Sequence, residues 1–249
     1  MSRPVFLVDQ LLGDRPVDPA APLVLTGPEG RHAATVRRLR AGEAVDVVDG
    51  RGGRASCTVA AVGRDVVELH VVERVQEPPP APRLVLVQAL AKGDRGELAV
   101  ELATEVGVDE VVPWAAERCV VRWDGPRGDK ALERWRSTAR EAAKQSRRAW
   151  LPTVADPLST RQLAERLSAA ALALVLHEAA AEPLAGTALP ADGDVVLVVG
   201  PEGGVSEREL ELLADAGARS VRLGRTVLRT STAGAAAAAV VSARTARWA

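Results

Sequence analysis

Cysteine is nearly missing: the 249 residues hold only Cys57 and Cys119, with no CxxC and no Cys/His cluster. That excludes a disulfide framework and a recognisable zinc site, and it points to a reducing compartment. Aromatic residues are also scarce, with no Tyr, one Phe and five Trp, so binding through rows of stacked bases is disfavoured. No run of about 20 apolar residues exists to span a bilayer. The stretch from Met1 to Pro16 has too short an apolar run and too many charges for a signal peptide, and a cytoplasmic protein is expected. The phosphate loop GxxxxGK followed by Ser or Thr is absent, and so is GxGxxG, which disfavours a nucleotide-dependent kinase or ATPase.

What is present is an ordinary globular composition, 47% hydrophobic and 26% charged, far from the signature of disorder. The length suggests two modest domains, each able to bury a core. A net charge of -1 argues against a globally basic nucleic-acid binder, but charge acts locally. Arg31, Arg37, Arg38 and Arg40 form one cluster without an acid, and residues 127 to 150 carry eight basic residues against Asp129, Glu133 and Glu141.

The run Glu77-Pro78-Pro79-Pro80-Ala81-Pro82-Arg83 lacks the amide donors of a helix or central strand, so 77–83 reads as a stiff linker. Before it, residues 1–76 show β-type runs at Val45 to Asp49, Ala55 to Val62 and Val66 to Val75, with one short helix near His32 to Leu39. A small β-barrel is expected there. After it, residues 84–249 alternate between strands at Leu84 to Gln88, Glu110 to Pro113, Ala171 to Leu176, Val195 to Val199 and Ser220 to Leu223, and helices. The helices fall near Glu97 to Val106, Lys130 to Arg147, Thr160 to Leu167, Glu207 to Ala216 and onward from Ala233. Such alternation predicts an α/β layer around a largely parallel sheet.

Two loops carry the chemistry. The apolar strand at Val195 to Val199 runs into Gly200-Pro201-Glu202-Gly203-Gly204, where glycines at a strand's C-terminal end let backbone approach a ligand. Ser206 and Glu209 fit a capping box for the next helix. The second loop, Leu223-Gly224-Arg225-Thr226-Val227-Leu228-Arg229-Thr230-Ser231-Thr232-Ala233, again follows a strand and precedes a helix. Each alone is also what a plain strand-to-helix connection looks like, whereas two at successive strand ends can enclose one ligand. Leu176-His177-Glu178 ends a third strand, and a lone His there is assigned no catalysis.

Taken together, Gly200 to Gly204, Leu223-Gly224, Val227 to Thr230 and Thr232-Ala233 resemble the paired signature of the ribosomal RNA small subunit methyltransferase E family, within the SPOUT superfamily. The likeness extends through His32, Arg37, Leu39-Arg40, Lys92-Gly93-Asp94, Glu101-Leu102, Gly107-Val108, Glu117-Arg118-Cys119, Glu141-Ala142-Ala143 and Gln145-Ser146. The resemblance implies a PUA-like β-barrel followed by an α/β domain with a deep trefoil knot, a homodimer, and S-adenosyl-L-methionine as cofactor. It also implies methylation of N3 of one uridine in small-subunit ribosomal RNA, within an assembled or nearly assembled subunit. Thr226, Ser231, Lys144 and Arg147 depart from the family's usual residues, Arg, Glu, Glu and Gly.

On that reading the cofactor is held by Leu176, His177, Val199, Gly200, Pro201, Glu202, Gly203, Leu223, Gly224, Val227, Leu228, Thr232 and Ala233, with no metal. Arg229 is the expected catalytic cation, stabilising negative charge on the base. Glu202 either accepts the proton or holds the cofactor, or it simply complements a helix N-terminus. Arg136, Arg140, Lys144 and Arg147 or Arg148 recur at steps of three or four on one helix face. With Arg31, Arg37, Arg38, Arg40, Lys92 and Arg118, the stripe of Arg136, Arg140, Lys144 and Arg148 makes the candidate RNA surface. The rivals are another SPOUT enzyme acting on transfer RNA or on a ribose hydroxyl, and a catalytically idle ribosome-assembly factor.

Overall fold

The computed structural model describes residues 3–9, 11 and 22–248. The chain packs as two compact units, Met1–Pro79 with Ala143–Leu151, and Pro80–Ala142 with Pro152–Ala249. The return of Ala143–Leu151 to the first unit departs from the expected simple succession of domains, and it has a packing cause. Ala149 is buried with Val5, Leu7 and Val48, the Gly52 amide donates to the Ala149 carbonyl at 3.0 Å, and Trp150 Nε1 donates to the Glu77 carbonyl at 3.2 Å.

In the first unit, β1 (Val5–Leu7), β2 (Leu23–Leu25), β3 (Ala44–Val48), β4 (Gly53–Gly63) and β5 (Val66–Gln76) form one sheet in the order β1-β3-β4-β5-β2. The β1–β3 pair is parallel and the rest are antiparallel. The expected barrel is therefore a mixed half-barrel, and β1 and β2 stand at its two edges. Period-two burial along β4 turns Ala55, Cys57 and Val59 into a core with Phe6, Leu25, Val45, Val47, Val67 and Leu69. The short helix expected near His32 begins earlier, as α1 (Gly27–Arg31) with Pro28 in its first turn, and continues as a single π-helical turn at His32–Val36.

The second unit is a parallel sheet of β6 (Arg83–Ala89), β7 (Glu110–Ala115), β8 (Thr153–Val154), β9 (Leu158–Ser159), β10 (Leu172–Leu176), β11 (Glu182–Pro183), β12 (Asp194–Val199) and β13 (Arg219–Arg222). Their order is β11-β13-β10-β12-β6-β7-β8, with β9 also on β7. The helices are α2 (Arg95–Val106), α3 (Gly125–Gln145), α4 (Thr160–Leu167), α5 (Glu207–Asp215) and α6 (Thr230–Ala243). Leu84, Leu86 and Leu197 pack against Val100 of α2, Trp135 of α3 and Ala237 and Val241 of α6. On the opposite face Val85, Val87, Val196 and Val198 meet Leu163 and Leu167 of α4 and Leu213 of α5. Burial on both faces explains the near-continuous aliphatic runs in β6 and β12. At Gly234 an added Cβ would lie 2.8 Å from Leu86 Cδ1, so a larger residue there would force the buried Leu86 side chain or α6 to shift.

Neighbouring strands β6 and β12 are followed by helices on opposite faces, α2 and α5. That is a topological switch point, and a crevice opens beyond the C-terminal ends of the strands there.

Candidate functional site

A cleft of about 590 Å³ lies at those strand ends. It is lined by Leu176, His177 and Glu178 after β10, by Val199 to Val205 after β12, and by Val227 to Thr230 with Ala233 at the start of α6. Arg95 and Arg118 complete the wall. Leu223, Gly224 and Thr226 line an adjoining hollow of about 80 Å³ that shares Leu176, His177, Val227, Leu228 and Ala233 with the cleft. The three segments proposed from sequence thus converge. Thr232 is the exception, lining neither space; its hydroxyl donates back to the Arg229 carbonyl at 3.2 Å.

The loop after β12 owes its shape to local chemistry. Gly204 sits at φ +74°, the left-handed region that favours glycine, and its amide closes a turn on the Pro201 carbonyl at 2.9 Å. A Cβ on Gly203 would meet Arg118 Cβ at 3.2 Å. The expected capping box of Ser206 and Glu209 is present at the start of α5. Buried Glu209 also accepts from the Glu117 amide and the Thr160 hydroxyl, each at 2.8 Å. Those bonds hold the segment from which Arg118 Nη1 donates to the Gly203 carbonyl at 3.2 Å.

Glu202 is engaged rather than poised. Its Oε1 is 3.1 Å from Arg95 Nη1 and 3.4 Å from the Lys92 amide. Partial burial works to raise its pKa, but backbone amides and the Arg95 guanidinium outweigh it and hold the carboxyl below its ordinary 4.5. A carboxylate so stabilised is a poor proton acceptor near neutral pH, which favours the holding role over the catalytic one. Arg229 is the N-cap of α6 and is exposed. Thr230, just inside the helix, donates from its hydroxyl to the Gly200 carbonyl at 2.8 Å. Arg95 and Val205 line the cleft from outside the segments singled out in sequence, while Glu178, Gly204 and Thr230 lie within those segments but were not among the residues expected to hold the cofactor. Arg95 follows the Lys92-Gly93-Asp94 stretch directly, and that adjacency was the one available hint.

The basic residues divide. In the first unit Arg31, Arg37, Arg38 and Arg40 are exposed, and so are Lys92 and Arg140 in the second. The continuous stripe expected along α3 needs correction. Lys144 Nζ is 2.8 Å from Glu29 Oε1, with side chains only 10% and 14% exposed. Arg136 bridges Glu133 at 2.7 Å and Asp156 at 3.0 Å. Arg148 is half-buried and also engaged. Spacing alone put them on one face, but nearby carboxylates and packing take up that face. Among the described residues there is no group of three or more His, Cys, Asp or Glu placed to hold a metal, and no helix is long and apolar enough to cross a membrane.

Comparison with known proteins gives this geometry a context. Residues 77–242 match the RNA methyltransferase domain family and residues 25–72 the RNA methyltransferase PUA domain. The ribosomal RNA small subunit methyltransferase E of Mycobacterium bovis is 50% identical over 248 residues, covering 98% of this chain and 93% of that protein. Its counterpart from Bacillus subtilis is 31% identical, covering 92% and 93%. The crystal structure of a ribosomal RNA small subunit methyltransferase E from Neisseria gonorrhoeae, bound to S-adenosyl methionine, superposes with a TM-score of 0.85 at 28% identity, covering 98% of both chains.

Proposed function

Since the chain belongs to the ribosomal RNA small subunit methyltransferase E family, we propose that it methylates N3 of a uridine in small-subunit ribosomal RNA, with S-adenosyl-L-methionine as methyl donor. The observation that carries this reading is the convergence of the β10, β12 and α6 segments on one cleft at the switch point. About 590 Å³ falls within the range of roughly 300–1,000 Å³ typical of small-molecule sites. Its walls fit the cofactor: Leu176, Val199, Leu228 and Ala233 offer apolar surface for an adenine, and the glycine loop offers bare backbone beside it.

The cofactor supplies an electrophilic methyl group on a sulfonium. The chain's own residues supply position and charge. Gly200 to Gly203 and Leu223 to Leu228 hold the cofactor from two sides, and the Arg95–Glu202 pair ties the start of α2 to the first of these loops. Arg229 stabilises the negative charge that grows on uracil as its N3 proton leaves. The exposed arginines at Arg31 to Arg40, with Lys92, Arg118 and Arg140, contact phosphates. A ribosomal RNA substrate supports a cytoplasmic location. Small, half-buried residues along α6, with Val227 76% exposed beside it, support pairing with a second copy, and family membership supports a knotted second domain.

The test is a single-turnover assay with purified small subunits and isotopically labelled methyl donor, followed by mass spectrometry of the nucleosides. The expected product is 3-methyluridine, formed about a hundredfold more slowly by Arg229→Ala at saturating substrates, the scale seen when a stabilising donor is lost. A methyl group on a ribose, or no transfer to small subunits but transfer to transfer RNA offered in their place, overturns the assignment. A full rate in Arg229→Ala overturns the role of Arg229.

A further inference from the structure

A central strand buried on both faces is ordinarily aliphatic throughout. Leu84 to Val87 of β6 conform, but Gln88 is fully buried. By the two-residue period it shares its face with Leu84 and Leu86, the face that α6 covers. Its Nε2 donates to Thr230 Oγ1 at 2.9 Å and to the Ala89 carbonyl at 3.2 Å. The Thr230 hydroxyl in turn donates to the Gly200 carbonyl at 2.8 Å. A hydroxyl has one proton; with that proton on Gly200, Thr230 can only accept from Gln88. The direction of the relay is therefore fixed, from β6 through α6 to the loop after β12. It leaves Gln88 Oε1 buried without a donor among the described residues, a cost that Leu or Met at this position would avoid. The amide is thus unfavourable for packing and informative about the site.

We propose that Gln88 is a positioning residue of the cofactor cleft. It does not line the cleft itself. Through Thr230 it fixes the Gly200 carbonyl against the first turn of α6, and so sets the gap between the two loops that grip the ligand. The inference rests on the proposed function for the ligand's identity, a nucleoside carrying a charged sulfur chain.

The test is calorimetric affinity of the full chain for S-adenosylhomocysteine, with thermal melting of the ligand-free variants to confirm folding. Gln88→Met and Thr230→Val should each weaken binding about tenfold, on the scale of one or two net hydrogen bonds. The double variant should be no weaker than about tenfold, because both changes cut one relay. Thr230→Ser, which keeps the hydroxyl, should stay within about threefold of the parent. Should Gln88→Met not fold, Gln88→Asn removes the same reach to Thr230 while keeping an amide, and the same loss is expected. Parental affinity in a folded Gln88 variant, or losses that multiply to about a hundredfold in the double, overturns the relay and leaves the family function standing. A parental chain that binds no S-adenosylhomocysteine overturns the proposed function instead, and the relay's purpose with it.

Discussion

Lys144 and Arg140 lie about one turn apart on α3, and replacing them has opposite expected consequences. Lys144→Met takes the cation away from Glu29 Oε1 and leaves that carboxylate, whose other oxygen accepts from the Leu7 amide at 3.3 Å, without its ion-pair partner. Breaking one side of a buried ion pair costs about 3–5 kcal/mol. With the two side chains 10% and 14% exposed, some water screens the pair and about 3 kcal/mol is the working figure. For a unit of this size that lowers the melting temperature of its transition by roughly 12 °C or more. Scanning calorimetry of the full chain measures it, and adding Glu29→Gln to Lys144→Met should recover part of the loss. RNA binding at a temperature where the variant is folded should keep its salt dependence. Arg140→Ala should do the reverse, melting within about 2 °C of the parent because an exposed side chain contributes little, while the slope of log affinity against log salt falls by about 0.7–0.9. A Lys144→Met protein with parental melting and a shallower salt slope would refute the ion pair and restore the stripe.

Glu202 and the thiols provide further checks. The folded-state pKa of Glu202 lies below 4.5, so its pair with Arg95 is complete above that pH and is lost as pH falls through the depressed value. Cofactor affinity should accordingly be flat from about pH 5.5 to pH 8.5, the range above that transition, and an acidic limb in the rate near neutrality that vanishes in Glu202→Gln would identify Glu202 as the base after all. Burial pushes the Cys57 thiol up to about 11 and raises Cys119 as well. Iodoacetamide at about pH 8 should therefore leave both unmodified in the native protein; labelling at the rate of an exposed thiol would contradict their burial.

The parts of the fold legible in sequence were those set by local chemistry. Thr160–Leu167 has the expected limits because Ser159 and Gln162 form a capping box around an amphipathic turn, and the Ser206–Glu209 box was legible for the same reason. Strands β1 and β2, three residues each, carry too few alternations to register as a period. Helix α6 begins at Thr230 rather than Ala233 because tertiary bonds to Gly200 and Gln88 hold its first turn, and no propensity encodes them. The same limit explains Lys144: spacing at three and four residues identifies a helix face, but only packing reveals that Glu29 waits opposite it. Of the site, the strand-end loops were legible because glycine placement is a local demand. Arg95 was not, since its partner Glu202 is 107 residues away in sequence.

The cleft's three arginines show how packing assigns roles that residue type cannot. Arg95 is neutralised by Glu202 at 3.1 Å, and Arg118 is directed at the Gly203 carbonyl at 3.2 Å. For Arg229 no ion pair is found among the described residues, and its backbone caps a 14-residue helix. The N-terminal end of such a helix carries a partial positive charge of its own, so the guanidinium and the helix end act in the same direction on an anion forming beside them. In open solvent that field is largely screened. If, as proposed, RNA covers the exposed loop, it would remove the screening water and strengthen the interaction where charge develops. On the proposed mechanism the effect of Arg229 would belong to the ternary complex rather than to cofactor binding, and a rate measured at saturating RNA, rather than an affinity, is the quantity that would report on it.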